Sequence, residues 1–158
     1  LRLVGSEMCI RDRLNIVYAS EMGTAMDVAD KTEAIAKDKG VDVVQFGMDS
    51  VSMDELKTMS KLMIITSTTG DGDLPMMGEN FWNELSESDL DLSSIEYSVC
   101  ALGDSSHHEF CGAGKKVDGR LLELGAKKIL DMQECDGDTE GSEEWAALAM
   151  DKLGVLPN

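Results

Sequence analysis

Residues 19–25 read Ala19-Ser20-Glu21-Met22-Gly23-Thr24-Ala25 and run straight into a helical pattern. Two hydroxyls, on Ser20 and Thr24, flank a glycine that lets a ligand come close to the backbone. The free N–H groups at a helix start, and the helix dipole, favour an anion there. No Lys or Arg stands in this stretch. A nucleoside triphosphate loop would carry GxxxxGK[ST] and a dinucleotide turn GxGxxG, and neither pattern is present. The chemistry left is one monophosphate held by neutral donors. A simple capped helix start has the same residue types.

Two further stretches carry ligand-like residues. Ser67-Thr68-Thr69-Gly70-Asp71-Gly72-Asp73-Leu74-Pro75 has paired glycines that permit a tight turn and close approach by a flat ligand. An ordinary acidic turn would also read this way. Leu102-Gly103-Asp104-Ser105-Ser106-His107-His108-Glu109-Phe110-Cys111 offers ring surface from His107 and Phe110. The plainer readings are a solvated histidine and a core phenylalanine. Cys111 beside two histidines suggests a nucleophile, yet no oxyanion site or third member accompanies it.

The elements that must position these stretches follow from hydrophobic spacing. Leu14–Tyr18 reads as a first strand, and residues 24–39 as an amphipathic helix stopped by Gly40. Val41–Phe46 is a second strand. Ser52–Met59 is a short helix opened by a Ser52/Glu55 capping box. Leu62–Thr66 is an apolar run of the kind buried on both faces. Gly78–Leu85 is helical, and Tyr97–Leu102 is a fourth strand. Residues 113–124 form a helix closed by Gly125, with Val117, Leu121 and Leu124 inward. Lys128–Met132 is a fifth strand. Ser142–Leu153 is a last helix with Trp145, Leu148 and Ala149 inward. Five βα units predict an α/β fold, a parallel sheet with helices on both faces. Ligands of such sheets sit beyond the carboxyl ends of the strands, where strand order reverses. The three stretches above follow strands one, three and four.

Composition narrows the function. The chain has 158 residues, about one domain's worth. Residues 1–13 (LRLVGSEMCIRDR) show no period and are expected to be a non-native or disordered tail, with the domain spanning 14–158. Fourteen Lys and Arg stand against 31 Asp and Glu, a net charge of −17. Such a chain repels phosphate backbones and anionic lipid, which argues against nucleic-acid and membrane-surface roles. No apolar run approaches the roughly 18 residues of a membrane span. Cys9, Cys100, Cys111 and Cys135 form no CxxC pair, and the two histidines are adjacent, so no metal site is expected. This cysteine usage points to a reducing, cytoplasmic compartment. No Lys or Arg occurs between Lys61 and Lys115, a span holding ten acids, Asp71, Asp73 and Asp104 among them. A second acidic run holds Asp131, Glu134, Asp136, Asp138, Glu140, Glu143 and Glu144, which a solubilising face would also explain. Such a field steers a basic partner and disfavours added negative charge on a ligand.

Taken together the three loops resemble those of flavodoxin-like FMN domains. SerThrThrGlyAspGlyAspLeuPro (67–75) with PheTrp (81–82), and LeuGlyAspSerSer (102–106) with PheCys (110–111), are similar to the flavin loops of diflavin reductases and the sulfite reductase flavoprotein. PheCysGlyAla (110–113) and GluGluTrp (143–145) are similar to MioC-type short flavodoxins. The resemblance covers Leu14 to about Leu153. It implies a three-layer sandwich around a five-stranded parallel sheet of order 2-1-3-4-5. It implies that Ser20, Glu21, Met22, Gly23, Thr24 and Ala25 hold the FMN phosphate. Ser67, Thr68, Thr69, Gly70, Asp71 and Gly72 would flank one side of the flavin ring, with the Gly70 carbonyl turning toward reduced N5. Leu102, Gly103, Asp104, His107, Phe110 and Cys111 would form the other side, and Asp136 completes the candidate set. The chain departs from the family at Met22, where Thr is usual, at Thr69, where an aromatic ring is frequent, and at His107, where Tyr usually stacks. The implied function is a single-electron carrier between a ferredoxin-NADP reductase-type donor and a basic-surfaced acceptor enzyme, with no catalytic side chain. The alternatives are the FMN module of a diflavin reductase and a flavin-dependent quinone reductase.

Overall fold

The computed structural model describes residues 13–20, 23–67, 76–103, 112–136 and 141–153. Strand β1 (Leu14–Ala19) leads to helix α1 (Thr24–Asp38), and β2 (Val43–Gly47) to a 3-10 turn at Met48–Ser50 and α2 (Met53–Thr58). Then come β3 (Lys61–Ser67), α3 (Met76–Glu87), β4 (Glu96–Gly103) and α4 (Gly112–Glu123). Two short strands, β5 (Lys127–Lys128) and β6 (Gln133–Asp136), precede α5 (Ser142–Leu153). All strand pairs are parallel, in the order β2-β1-β3-β4, with β5 and β6 both on the outer side of β4.

Side chains alternate across the central strands with period two, and the two sets build two cores. Val17, Leu62, Ile64, Tyr97 and Val99 face Leu56 of α2, Phe81 and Leu85 of α3, and Val117 and Leu121 of α4. Leu14, Ile16, Met63, Ile65, Cys100 and Leu102 face Val28 and Ala29 of α1 and Trp145, Ala149 and Met150 of α5. The expected three layers and the 2-1-3-4-5 order are therefore present.

Three differences from the sequence reading have physical causes. First, β2 starts at Val43, later than the expected Val41. Gly40 takes φ 75°, and the Val41 N–H returns to the Ala36 carbonyl at 2.9 Å. Val41 thus closes α1 as the residue beyond a left-handed glycine cap and enters the strand late. Gly125 (φ 97°) closes α4 in the same way, with Ala126 N–H on Leu121 O.

Second, the fifth strand is not Lys128–Met132. Pairing with β4 stops at Lys128 and resumes at Gln133. Between them, the Leu130 carbonyl accepts from the Ser98 hydroxyl at 3.2 Å, and Ser98 accepts from Trp145 Nε1 at 2.9 Å. Ile129 and Leu130 pack on one core and Met132 on the other. The apolar residues read as a strand are a crossover between two strand pieces. Third, Leu148 is not inward but 47% exposed. The buried stripe of α5 runs through Ser142, Trp145, Ala146, Ala149, Met150 and Leu153, and Leu148 lies off it. The expected capping box is present: Ser52 Oγ accepts from Glu55 N, and Ser52 N donates to Glu55 Oε1.

Candidate functional site

Sheet register brings the three candidate loops to one edge. Ala19, the last residue of β1, pairs with Thr66. Ser67, the last of β3, pairs with Leu102, and Gly103, the last of β4, pairs with Asp136. The exits of β1, β3, β4 and β6 therefore lie side by side at the carboxyl end of the sheet. Strand β1 pairs with β2 on one side and β3 on the other, so the chain reverses direction across the sheet there. Ligands of parallel α/β sheets bind at such a point.

The turn between β1 and α1 is built around backbone donors. Ser20 Oγ accepts the Gly23 N–H at 2.8 Å. Gly23 is the N-cap of α1 in the left-handed region, φ 89°, where a side chain would be strained. Among the described residues no heavy atom lies within 4 Å of where its Cβ would be. The leading N–H groups of α1 have no partner within the helix. Thr24 is exposed, so its hydroxyl can join them. With the Gly23 N–H donated to its oxygen, the Ser20 hydroxyl keeps its own proton to give. A helix start with two hydroxyls and a close-approach glycine suits a phosphate.

Not every candidate side chain can reach a ligand. Ala25 is fully buried and Leu102 is 5% exposed, both in the core under α1 and α5. Whatever they offer comes from the backbone. Ser67 is half-buried at the end of β3, and its carbonyl accepts from the Thr66 hydroxyl at 3.0 Å. Asp136 and Gly103 are placed by the backbone register alone. Glu21, Met22, Thr68, Thr69, Gly70, Asp71, Gly72, Asp104, His107, Phe110 and Cys111 lie outside the described residues, as do residues 1–12 of the expected tail. Among the described residues no cluster of His, Cys, Asp or Glu could hold a metal, and no helix is long and apolar enough to cross a membrane.

The sequence reading missed two residues at this edge. Met77, in the first turn of α3, accepts the Ser20 N–H on its sulfur at 3.4 Å. Gly47, at the end of β2, leaves the space that the Met77 methyl occupies. Nothing in local spacing marks either one, since the partners are 57 residues apart along the chain.

The sequence model of the family described as Flavodoxin matches residues 16–148. The chain belongs to the flavodoxin family. It is 36% identical over 143 residues to the sulfite reductase [NADPH] flavoprotein alpha-component of Vibrio parahaemolyticus, a match covering 89% of this chain and 23% of that one. It is 33% identical to sulfite reductase [NADPH] subunit beta of Saccharomyces cerevisiae, covering 90% of this chain and 11% of that one. The chain thus spans less than a quarter of the length of these relatives. Among solved structures, a C101A mutant of the Pseudomonas aeruginosa flavodoxin superposes with TM-score 0.79 at 28% identity, covering 90% of this chain and 99% of that one. Oxidised Flavodoxin 2 from Bacillus cereus gives TM-score 0.80 at 25% identity, covering 89% and 99%. With the family come FMN as the cofactor and electron transfer as the function. The flavin supplies the redox chemistry, and the protein binds, orients and tunes it.

Proposed function

We propose that this flavodoxin-family domain, spanning 14–158, carries single electrons on an FMN whose phosphate sits at the β1–α1 turn. The observation that carries the reading is the convergence of the glycine-led start of α1 with the exits of β3 and β4 on one sheet edge. Ser20, Thr24 and the first N–H groups of α1 bind the phosphate. The loops after Ser67 and Gly103 flank the ring, with His107 and Phe110 on the second of them. No side chain needs to act as acid or base, so the chain works as a carrier.

The charge of −17 supports a basic redox partner, with a ferredoxin-NADP reductase-type donor as the proposed source of electrons. The four cysteines, none of them in a CxxC pair, support a reducing, cytoplasmic setting. A second reading, the FMN module of a longer diflavin reductase, is favoured by the 36% identity to a flavoprotein of which this chain covers 23%.

The test is FMN uptake. Purified protein is incubated with micromolar FMN, desalted and scanned in the visible. Retained flavin bands, shifted from those of free FMN, are expected, and a colourless protein would sink the proposal. Anaerobic reduction by NADPH through an added ferredoxin-NADP reductase then tests the donor. The full reading frame around the coding sequence separates carrier from module.

A further inference from the structure

Strand β1 leaves the sheet at Ala19, the last residue of its ladder with β3. The next backbone donor, the Ser20 N–H, has passed the ladder and needs another acceptor. The Met77 sulfur, 3.4 Å away, is that acceptor. The far end of the same side chain lies against Gly47. A Cβ on Gly47 would meet Met77 Cε at 2.5 Å and Asp49 Oδ1 at 2.7 Å. Gly47 itself has φ −74° and ψ 148°, an extended conformation open to any residue. Its missing side chain therefore reflects space and not backbone geometry. One half-buried side chain joins the exits of β1 and β2 to the helix that follows β3.

We propose that Met77 is a positioning residue for phosphate binding. Its thioether fixes Ser20, and through the Ser20 Oγ bond to the Gly23 N–H it fixes Gly23 at the start of α1. Gly47 is left bare to seat its methyl. The inference rests on reading the β1–α1 turn as the FMN phosphate site. A thioether suits the task because it is a weak, uncharged acceptor. It holds an N–H in place without setting negative charge beside a phosphate, which a carboxylate in the same place would do. The flexible, unbranched side chain also fills the irregular gap over Gly47.

FMN and riboflavin differ by the phosphate alone, so their dissociation constants separate this role from general packing. Both are measured by flavin fluorescence quenching on the wild type, Met77→Leu and Gly47→Ala. Met77→Leu keeps the apolar volume and removes the acceptor, a kind of swap that cores tolerate. The expected result is a wild type that prefers FMN, and a Met77→Leu protein that loses about 2- to 10-fold in FMN affinity, the span of one net hydrogen bond. Its riboflavin affinity stays unchanged. Gly47→Ala crowds the Met77 methyl without altering Ser20 or the sulfur, and it shifts FMN affinity in the same direction. An unchanged FMN affinity in Met77→Leu, or an equal loss for both ligands, overturns the positioning role. A wild type that binds both ligands equally overturns the phosphate reading, and this role with it. Should Gly47→Ala fail to fold, Met77→Leu decides alone.

Discussion

Helix α4 carries two glycines for which the same substitution has opposite consequences. Gly119 has no heavy atom within 4 Å of where its Cβ would stand. Replacing it by Ala removes the entropic cost of glycine in a helix, a gain of about 0.5–1 kcal/mol. Gly114 faces the sheet. A Cβ there would lie 2.4 Å from Ala101 Cβ, 3.3 Å from Ala101 Cα and 3.3 Å from Met132 Sδ. Carbon atoms pack at about 3.5–4.0 Å, so helix and strand must part by roughly 1 Å or more. Ala101 has no flexible end to swing aside, and it sits in β4 between its partners Thr66 and Glu134. Overpacking of this kind costs about 1–3 kcal/mol, occasionally more, against a propensity gain of at most ~1 kcal/mol. The expected net effect of Gly114→Ala is a loss of up to about 2 kcal/mol, while Gly119→Ala gains up to about 1 kcal/mol. Urea titration of the apoprotein followed by circular dichroism measures both. The midpoints should move in opposite directions with unchanged slope. A Gly114→Ala protein at or above wild-type stability would refute the close α4–β4 contact, and so would two variants shifting the same way.

Two further predictions come from side-chain contacts in the core and a third from the charge. Ser98→Ala leaves the Trp145 indole N–H buried without its 2.9 Å partner and should cost about 1–3 kcal/mol, measured by urea denaturation; a loss under 0.5 kcal/mol would contradict the network. Tyr97 donates its hydroxyl to Asp118, and burial followed by the Asp118 charge pushes its phenol well above the usual value. The folded state then keeps a proton that the unfolded chain releases above about pH 10, so wild-type stability should fall by up to ~1.4 kcal/mol per pH unit beyond that point. Tyr97→Phe should flatten that slope, and equal slopes in the two proteins would show that Tyr97 ionises in the native state. Electron transfer to a basic partner should slow steeply as salt rises from about 0.01 to 0.3 M, where the screening length falls from about 30 Å to under 8 Å; a salt-independent rate would remove charge from the docking step.

Much of the fold is local enough to be legible in residue order. Leu62–Thr66 is a strand because an apolar run of that length, buried on both faces, has few other solutions. Gly40 and Gly125 end helices because only glycine adopts φ near +75° to +97° cheaply. Ser52 and Glu55 close a capping box three residues apart. The alternation of strand and helix was enough to send the loops after β1, β3 and β4 to one edge, and their motifs were enough to suggest FMN.

What the sequence alone could not decide depends on contacts between residues far apart in the chain. The apolar run 128–132 has strand-like composition, yet it becomes a crossover where the Ser98 hydroxyl, itself held by the Trp145 indole N–H, takes up the Leu130 carbonyl. The largely polar stretch Gln133–Asp136 becomes the strand on the outer side of β4, with Cys135 buried. Leu148 is as apolar as its neighbours, but it lies off the buried stripe of α5 and stays outside. Met77 and Gly47 carry no signal of their own, because a glycine that makes room and a sulfur that accepts one N–H acquire meaning only once β1, β2 and α3 are packed together. Hydrogen-bond periodicity and chain stiffness act over a few residues and are written in order along the chain. Excluded volume and the need to satisfy buried polar groups act across the sheet, and only the folded structure decides them.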